Sequence, residues 1–411
     1  MEWVLSTWLA LVVLALIVWL GRLVFLCVID RLLPPLHPDQ YADVGDEGLP
    51  TVSFVVAAKE ESATIAACLQ SLCEQDYPNL EVIGINDRSQ DQTGSIMDEQ
   101  ARKEPRLKVA HVESLRDGWF GKNNAMREGV ERATGQWLCF TDADCVQTSR
   151  RSLRTAVRYA LEKGVDFLSV LPSHEANSFW ERVVQPACSG ILMLWFSPAA
   201  VNNPRRKTSY ANGAFMLVRR ACYEAIGGHE AVKNQVNEDM HLARLVKAGG
   251  HRLAVVANRG LYTVRMYGTL RETWSGWTRI FAGCFRSVRR LLLAALVLCE
   301  FSFLPWVTLM AMVLVSVAGW GDSTVWQWDW LQWIALAACV VQLATMAAFY
   351  AINRVPFFYG LIYPLGAVVG LGTLANAMRF AGGRGAITWR GTTYRNGVVH
   401  AEQTVPTPFQ S

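Results

Sequence analysis

Apolar and polar positions divide the chain into three kinds of stretch. From Trp3 to Ile29 the residues are almost wholly apolar, broken only by Gly21 and Arg22, and the run exceeds the roughly 20 residues a bilayer-spanning helix needs. From Thr51 to about residue 270, short β-branched runs alternate with helical ones: "TVSFVVAA", "SATIAACLQSLCEQ", "LEVIGIND", a polar turn and helix, "LKVAHVE", another helix, and "WLCFTDAD". Strands alternating with helices predict a mostly parallel α/β sheet, whose ligands sit at the carboxyl ends of the strands. After Arg290 the chain turns apolar again at about 291–318, 331–352 and 357–378.

This pattern predicts an N-terminal transmembrane helix over 1–31, a Pro-rich linker over 32–50 and a cytoplasmic domain over 51–270. An amphipathic interfacial segment over 271–290, a transmembrane region of about three apolar segments over 291–380 and a tail over 381–411 follow. A signal peptide is the rival reading of the first run; it lacks a basic start and a small-x-small cleavage site, and its apolar core is too long. No Lys or Arg precedes the first span while Arg22 and Arg31 lie at its end, so the positive-inside rule places the N-terminus outside and the α/β domain in the cytoplasm. Arg286, Arg289 and Arg290 agree with that, as does the acidic, Trp-rich "GWGDSTVWQWDW" as an outer loop. A complete crossing by 357–378 would put Arg379, Arg384, Arg390 and Arg395 outside; Gly360, Pro364, Gly366, Gly370 and Gly372 favour a re-entrant or bent segment instead.

Composition sharpens this. The chain of 411 residues is 52% hydrophobic and 18% charged with 16 Trp, an excess suited to a multi-pass protein of the cell membrane. The net charge of +4 is too modest to point to nucleic acid as a partner. Ten cysteines without a CxxC pair read as buried, reduced thiols rather than zinc ligands or disulfides.

Candidate chemistry gathers where apolar runs end. "SFVVAAKEES" ends in Glu60 and Glu61, "EVIGINDRSQD" in Asp87 with Ser89 and Asp91, and "WLCFTDADC" in Asp142 and Asp144. Taken singly, each is an ordinary turn or cap residue. Together they crowd like charges at one edge, which is tolerable only with cations or donors among them. Mg²⁺ or Mn²⁺, which bridge carboxylates to substrate phosphates, meets that need, with Asp144 the better ligand candidate.

The ordered series "VSFVVAAKEES", "INDRSQDQTG", "GWFGKNNAMREGVERATGQWLCFTDAD", "YANGAFMLVRRACYEAIGG" and "NEDMHLARLVKAGG" resembles the family 2 glycosyltransferases over residues 51 to about 290. The flanking spans look like the lipid-acceptor branch, which includes ceramide glucosyltransferases and the hopanoid- and carotenoid-associated bacterial enzymes. The resemblance implies a GT-A type nucleotide-sugar fold and inverting transfer from a nucleotide sugar, a UDP-sugar first, to a membrane lipid. It implies that Ala57, Glu61 and Asp87 line the base and ribose pocket, with Lys122 beside it. Asp142 and Asp144 look like the DxD motif, Asp142 towards the ribose and Asp144 on the metal, with Asp142 the second metal candidate. Ala57 replaces the usual Pro and Asn86 the first of paired aspartates, which puts base selectivity in doubt.

"NQVNEDMHLARLVKAGG" predicts a helix with Asn237 near its N-cap, Glu238 and Asp239 in its first turn, Lys247 near its end and Gly249-Gly250 as terminator. On charge alone the two acids only complement the helix dipole. Inverting transfer to an alcohol needs a base for the hydroxyl proton; the family's ED motif falls here, which implies Asp239 as base and Glu238 in support. Gly213 permits close backbone approach, and the resemblance puts it beside the acceptor and donor sugar. Residues 262–290 mix aromatic and basic side chains as an interfacial helix does. The family's Q-x-x-R-W motif has only "GWTRIFAG" as its nearest match, so Arg279 is a candidate for the diphosphate and Arg265 a second.

The leading expectation is a membrane-anchored glycosyltransferase acting on a lipid hydroxyl. A processive polysaccharide synthase would need more spans for its channel. A non-catalytic membrane module or transporter subunit retaining the fold would be expected to have lost the metal or base carboxylates.

Overall fold

The computed structural model describes residues 2–318, 327–382, 387–389, 392–395 and 398–400. Residues 319–326 of the Trp-rich connector, Arg384, Arg390 and everything after His400 lie outside them. Along the chain come α1 (Glu2–Cys27), β1 (Pro35–Leu36), β2 (Val52–Ala58), α2 (Ile65–Cys73), β3 (Leu80–Asp87), α3 (Thr93–Lys103) and β4 (Leu107–Val112). Then follow α4 (Gly121–Arg132), β5 (Trp137–Asp142), β6 (Cys145–Gln147), α5 (Ser152–Lys163), β7 (Phe167–Val170), β8 (Ser173–His174) and α6 (Phe179–Trp195). The remainder is β9 (Met216–Arg219), α7 (Glu238–Ala248), β10 (Leu253–Asn258), β11 (Tyr262–Val264), α8 (Leu270–Phe285), α9 (Val288–Val317), α10 (Gln327–Ile352), α11 (Tyr363–Ala381) and a three-stranded sheet within 387–400.

These elements form two units. The α/β unit spans Leu32–Glu175 and Phe196–Met266 and, among the described residues, also takes in 387–389, 392–395 and 398–400. Its eight-stranded sheet has the order β1-β10-β7-β9-β5-β2-β3-β4. All neighbours pair in parallel except β9, which is antiparallel to β5 and β7. The central strands are buried on both faces, so β2 and β5 read as continuous apolar runs rather than alternating ones. In register, Ala57 lies opposite Asp142 on β5 and Ile85 on β3, so three strand ends meet at one edge of the sheet. The loops leaving β2 and β3 are stitched together: Glu60 N donates to Ser89 Oγ at 3.1 Å, Glu61 N to Thr93 Oγ1 at 2.8 Å and Gln90 N to Glu60 Oε1 at 2.7 Å. Glu60 and Arg88 both take left-handed backbone there, with φ of 56° and 57°, a conformation costly without a Gly and held by such cross-links.

The helical unit gathers Met1–Arg31, Ala176–Trp195 and Tyr267–Gly382. Four stretches in it, Trp3–Cys27, Val288–Val317, Asp329–Ile352 and Phe357–Ala381, are long and apolar enough to cross a membrane. α1 and α10 each run antiparallel to α9. Trp8 Nε1 donates to Thr308 Oγ1 at 2.8 Å and Trp19 Nε1 to Phe301 O at 2.8 Å, while Gln342 Oε1 accepts from Trp306 Nε1 at 2.6 Å. α11 lies along one half of α9 only. Tyr363 and Ser302 share a hydrogen bond of 2.6 Å, a Cβ on Gly370 would lie 3.6 Å from Leu298, and one on Gly382 3.9 Å from Val288. The end of α11 thus returns to the level at which α9 begins. Gly366 meets the Val183 carbonyl of α6 and Gly372 the Trp274 ring of α8 at distances that leave no room for a Cβ, which explains the glycines of this segment as sites of close helix packing. α8 starts on a Thr269–Glu272 capping box and stops at Arg286, whose φ is 56°, so the chain breaks between α8 and α9.

Candidate active site

β5 ends at Asp142, and Ala143-Asp144 turn the chain into β6. The sequence places a carboxylate on the last residue of a buried strand, and the fold leaves it half-buried at the sheet edge. Lys122, on the first turn of α4, reaches it: Nζ lies 2.6 Å from Asp142 Oδ1 and 2.7 Å from Glu238 Oε1. Burial alone would lower the lysine pKa, but Asp142 and then Glu238 outweigh it and hold the ammonium well above the ordinary lysine range. Lys122 is therefore a fixed cation joining the β5 end to the start of α7.

α7 begins where the "NED" pattern predicts, with Asn237 as N-cap and Gly249 as C-cap, although the Asn237 side chain makes no capping hydrogen bond. Asp239 Oδ1 accepts from the Met240 amide at 2.7 Å, and Oδ2 from the Gly213 amide at 3.0 Å. Burial first and Glu238 second push the Asp239 carboxyl up to about 7, against the pull of Lys122. A carboxylate poised there suits a general base at neutral pH. A Cβ on Gly213 would stand 3.1 Å from Lys122 Nζ and 3.5 Å from Glu238 Oε1, so the backbone approaches the acids closely because position 213 has no side chain. Lys247 does more than end the helix: its Nζ lies 2.8–3.3 Å from the carbonyls of Ala200, Asn203, Arg206 and Thr208.

Other expected residues fall around this centre with different partners. Ala57 is half-buried beside Asp142. Glu61 Oε2 accepts from Thr64 Oγ1 at 3.0 Å. Asp87 is buried, and both its oxygens are taken by Arg88, Nε at 2.8 Å and Nη2 at 3.0 Å. Arg279 lies on α8 in the helical unit, while the cluster described here belongs to the α/β unit alone; Arg265 is exposed on that unit.

Asp144 tests whether the site suits a divalent cation. Burial, then Asp142 and Glu61, push its carboxyl up to about 7 against the weaker pull of a backbone hydrogen bond and Lys122. Lys122 pairs with Asp142, and no ion pair to Asp144 is found among the described residues. No set of three His, Cys, Asp or Glu among them is arranged as a metal cage, so the chain offers two adjacent carboxylates of hard oxygen. That donor set fits Mg²⁺ or Mn²⁺, which take one or two carboxylates and complete their shell with substrate phosphates and water.

The comparisons fall on the same elements. Residues 50–289 match the model of the family described as "Glycosyltransferase like family 2". The chain belongs to this family. Among curated relatives, the 4,4'-diaponeurosporenoate glycosyltransferase of Staphylococcus aureus strain USA300 is 25% identical over 230 residues, covering 56% of this chain and 60% of the relative. That of strain MRSA252 is 24% identical over 249 residues, covering 60% and 65%. The similarity thus spans less than two thirds of those relatives' length. Among solved structures, a mannosyltransferase from Pyrobaculum calidifontis in complex with GDP-Man and Mn2+ superposes with a TM-score of 0.50 at 19% identity, over 81% of this chain and 98% of that one. The family 2 glycosyltransferase fold is what the two share.

The sequence reading of this family member missed three residues and one ring of carbonyls. Arg88 holds Asp87. His229, buried against Phe140 and bonded to Tyr223 OH at 2.8 Å, is kept neutral because burial, with Lys122 second, pushes it down to about 3. Asn123 and the carbonyl ring around Lys247 are the others. Only Asn123 carried a signal, as a polar residue beside Lys122 at a helix start that has to be buried against the sheet.

Proposed function

We propose that this chain is a membrane-anchored glycosyltransferase that moves a sugar with inversion from a nucleotide sugar, a UDP-sugar first, to a hydroxyl of a membrane lipid. The observation that carries the reading is the continuous chain Asp142–Lys122–Glu238 with Asp239 alongside, which links a strand-end donor edge to a helix-start base. Ala57, Glu61 and Asp87 line the nucleoside side. Asp144 with Asp142 would hold Mg²⁺ or Mn²⁺, which when bound stabilises the charge developing on the leaving diphosphate. Asp239 receives the acceptor O–H proton as the acceptor oxygen bonds to the anomeric carbon and the bond to the diphosphate breaks. Lys122 holds the Glu238 carboxyl beside it, and Gly213 N–H fixes the Asp239 oxygen it bonds.

The membrane reading rests on the four apolar stretches. α1, α9 and α10 cross, the N-terminus lies outside, and the α/β unit is cytoplasmic. The return of α11 to the level of Val288 supports a re-entrant 357–378, with the chain after it on the cytoplasmic side as the positive-inside rule asks.

The relatives' name supplies a second reading: it ends in "-oate", and a lipid carboxylate brings no proton at neutral pH, so a base would be dispensable. One experiment separates the two. The purified chain is incubated with labelled UDP- and GDP-sugars and a membrane lipid extract, with Mg²⁺, Mn²⁺ or chelator, and the lipid products are weighed by mass spectrometry. Asp239→Asn is expected to lower transfer by ~10²–10⁴-fold while nucleotide binding stays within about twofold. Turnover close to the parent's removes the base and favours a carboxylate acceptor; release of free sugar alone removes the transferase reading.

A further inference from the structure

The connector between the 3-10 turn at Gly228–Val232 and α7 is short, running from Lys233 to Asn237, and it delivers Glu238 and Asp239 to the site. One side chain meets it at three backbone carbonyls. Asn123, fully buried on the first turn of α4, places its Nδ2 at 2.8 Å from Val232 O, 3.2 Å from Lys233 O and 2.9 Å from Gln235 O. Three converging carbonyls require a donor, so the orientation of this amide is fixed by chemistry: an oxygen in that place would face three others. Two N–H groups serve the two shorter contacts, and the third is shared. The Phe120 amide adds a hydrogen bond of 2.6 Å to Lys233 O from the same turn.

Lys122 and Asn123 are neighbours in sequence with complementary tasks. Lys122 holds the Glu238 side chain and Asp142, and Asn123 holds the backbone that leads to Glu238. Serine at 123 is too short to span these carbonyls, leucine has no donor, and aspartate inverts the polarity. Burying an amide completely is costly unless it is bonded, yet Asn123 Oδ1 has no hydrogen-bond partner among the described residues. The side chain is retained for its nitrogen.

We infer that Asn123 is a positioning residue for the transfer step: it sets where the acid pair stands against the donor edge while touching neither donor nor acceptor. The inference deepens the proposed function and rests on Asp239 as the base. Its signature is a loss of kcat without a loss of donor affinity, because Asp142 and Asp144 stand on the end of β5 and the nucleoside side on the ends of β2 and β3.

The test uses the purified full-length chain and the variants Asn123→Ala, Asn123→Asp and the milder Asn123→Ser. UDP with Mn²⁺ is titrated calorimetrically to count folded sites and measure affinity, and transfer is assayed as above. Expected is a fall of at least ~10-fold in kcat per UDP-binding site, since a small misplacement can cost ~10²-fold, with UDP affinity and donor KM within about twofold. Full kcat per binding site, or a loss of UDP affinity in step with kcat, overturns the positioning role. Asp239→Asn, run in parallel, separates the two failures: its normal turnover brings down the base whatever the Asn123 variants do, whereas an inert Asp239→Asn beside a fully active Asn123→Ala brings down only the positioning role.

Discussion

At Gly213, a single missing side chain lets the backbone amide hold Asp239 within reach of Lys122 and Glu238. Gly213→Ala is expected to push Lys122 off its two carboxylates and lower kcat by about tenfold, with the thermal midpoint close to the parent's. Loss of fold together with activity would show that the glycine serves stability instead. The pH dependence follows from the same group. Asp239 works as a base only when ionised, and burial with Glu238 raises its carboxyl to about 7. The rate of transfer is therefore expected to rise with pH through that value and to fall on its acid side. A pH–rate profile flat from 5 to 8, on the order of a carboxylic acid's ordinary behaviour, contradicts the assignment.

At the scale of elements, Glu81 on β3 shows how the sheet edge is tied. Its oxygens accept from Ser53 Oγ at 2.6 Å, Thr134 N at 2.6 Å, Thr134 Oγ1 at 2.8 Å and Lys108 Nζ at 2.7 Å. Burial would raise its pKa, but the bonds from Lys108, Ser53 and Thr134 outweigh burial and pull it down to about 2. A depressed carboxyl stabilises the fold above its unfolded value, near 4.5, and that contribution is lost as pH falls from there towards 2. Glu81→Gln is expected to cost about 1 kcal/mol at neutral pH and to flatten the acid limb in denaturant melts; an unchanged limb would assign that slope elsewhere. Element type was legible in the sequence because buried strands such as "FVVAA" and a cap-to-terminator helix such as "NEDMHLARLVKAGG" carry local signals. What the sequence concealed is which side chains become partners. Asp87 reads as an available pocket acid and is engaged by Arg88; Lys122 reads as a loop lysine and links Asp142 to Glu238, more than 90 residues apart. No periodicity records such pairings.

At the scale of the whole chain, the helical unit has two unlike ends. Exposed Trp3, Trp330 and Trp333 mark the ends from which α1 and α10 start, while Arg286, Arg289, Arg290 and Arg379 gather where α9 starts and α11 finishes. In the proposed orientation the arginine-bearing end would face the cytoplasm, as the positive-inside rule asks. In a background lacking the exposed Cys27 and Cys299, Ala318→Cys is expected to react with an impermeant maleimide on intact cells, and Ala381→Cys only after permeabilisation. Labelling of both from outside would mean that α11 crosses.

The fit of α11 along the first half of α9 also sets an order of manufacture. Leu298 and Ser302 leave the ribosome long before Gly370 and Tyr363, the groups that cover them. Until α11 has been made, that flank of α9 carries a bare hydroxyl, so the unit is completed only after residues 363–381 have followed. A chain stopped before Tyr363 would then be a target for membrane quality control, even though everything that builds the α/β unit's acid cluster has already been made.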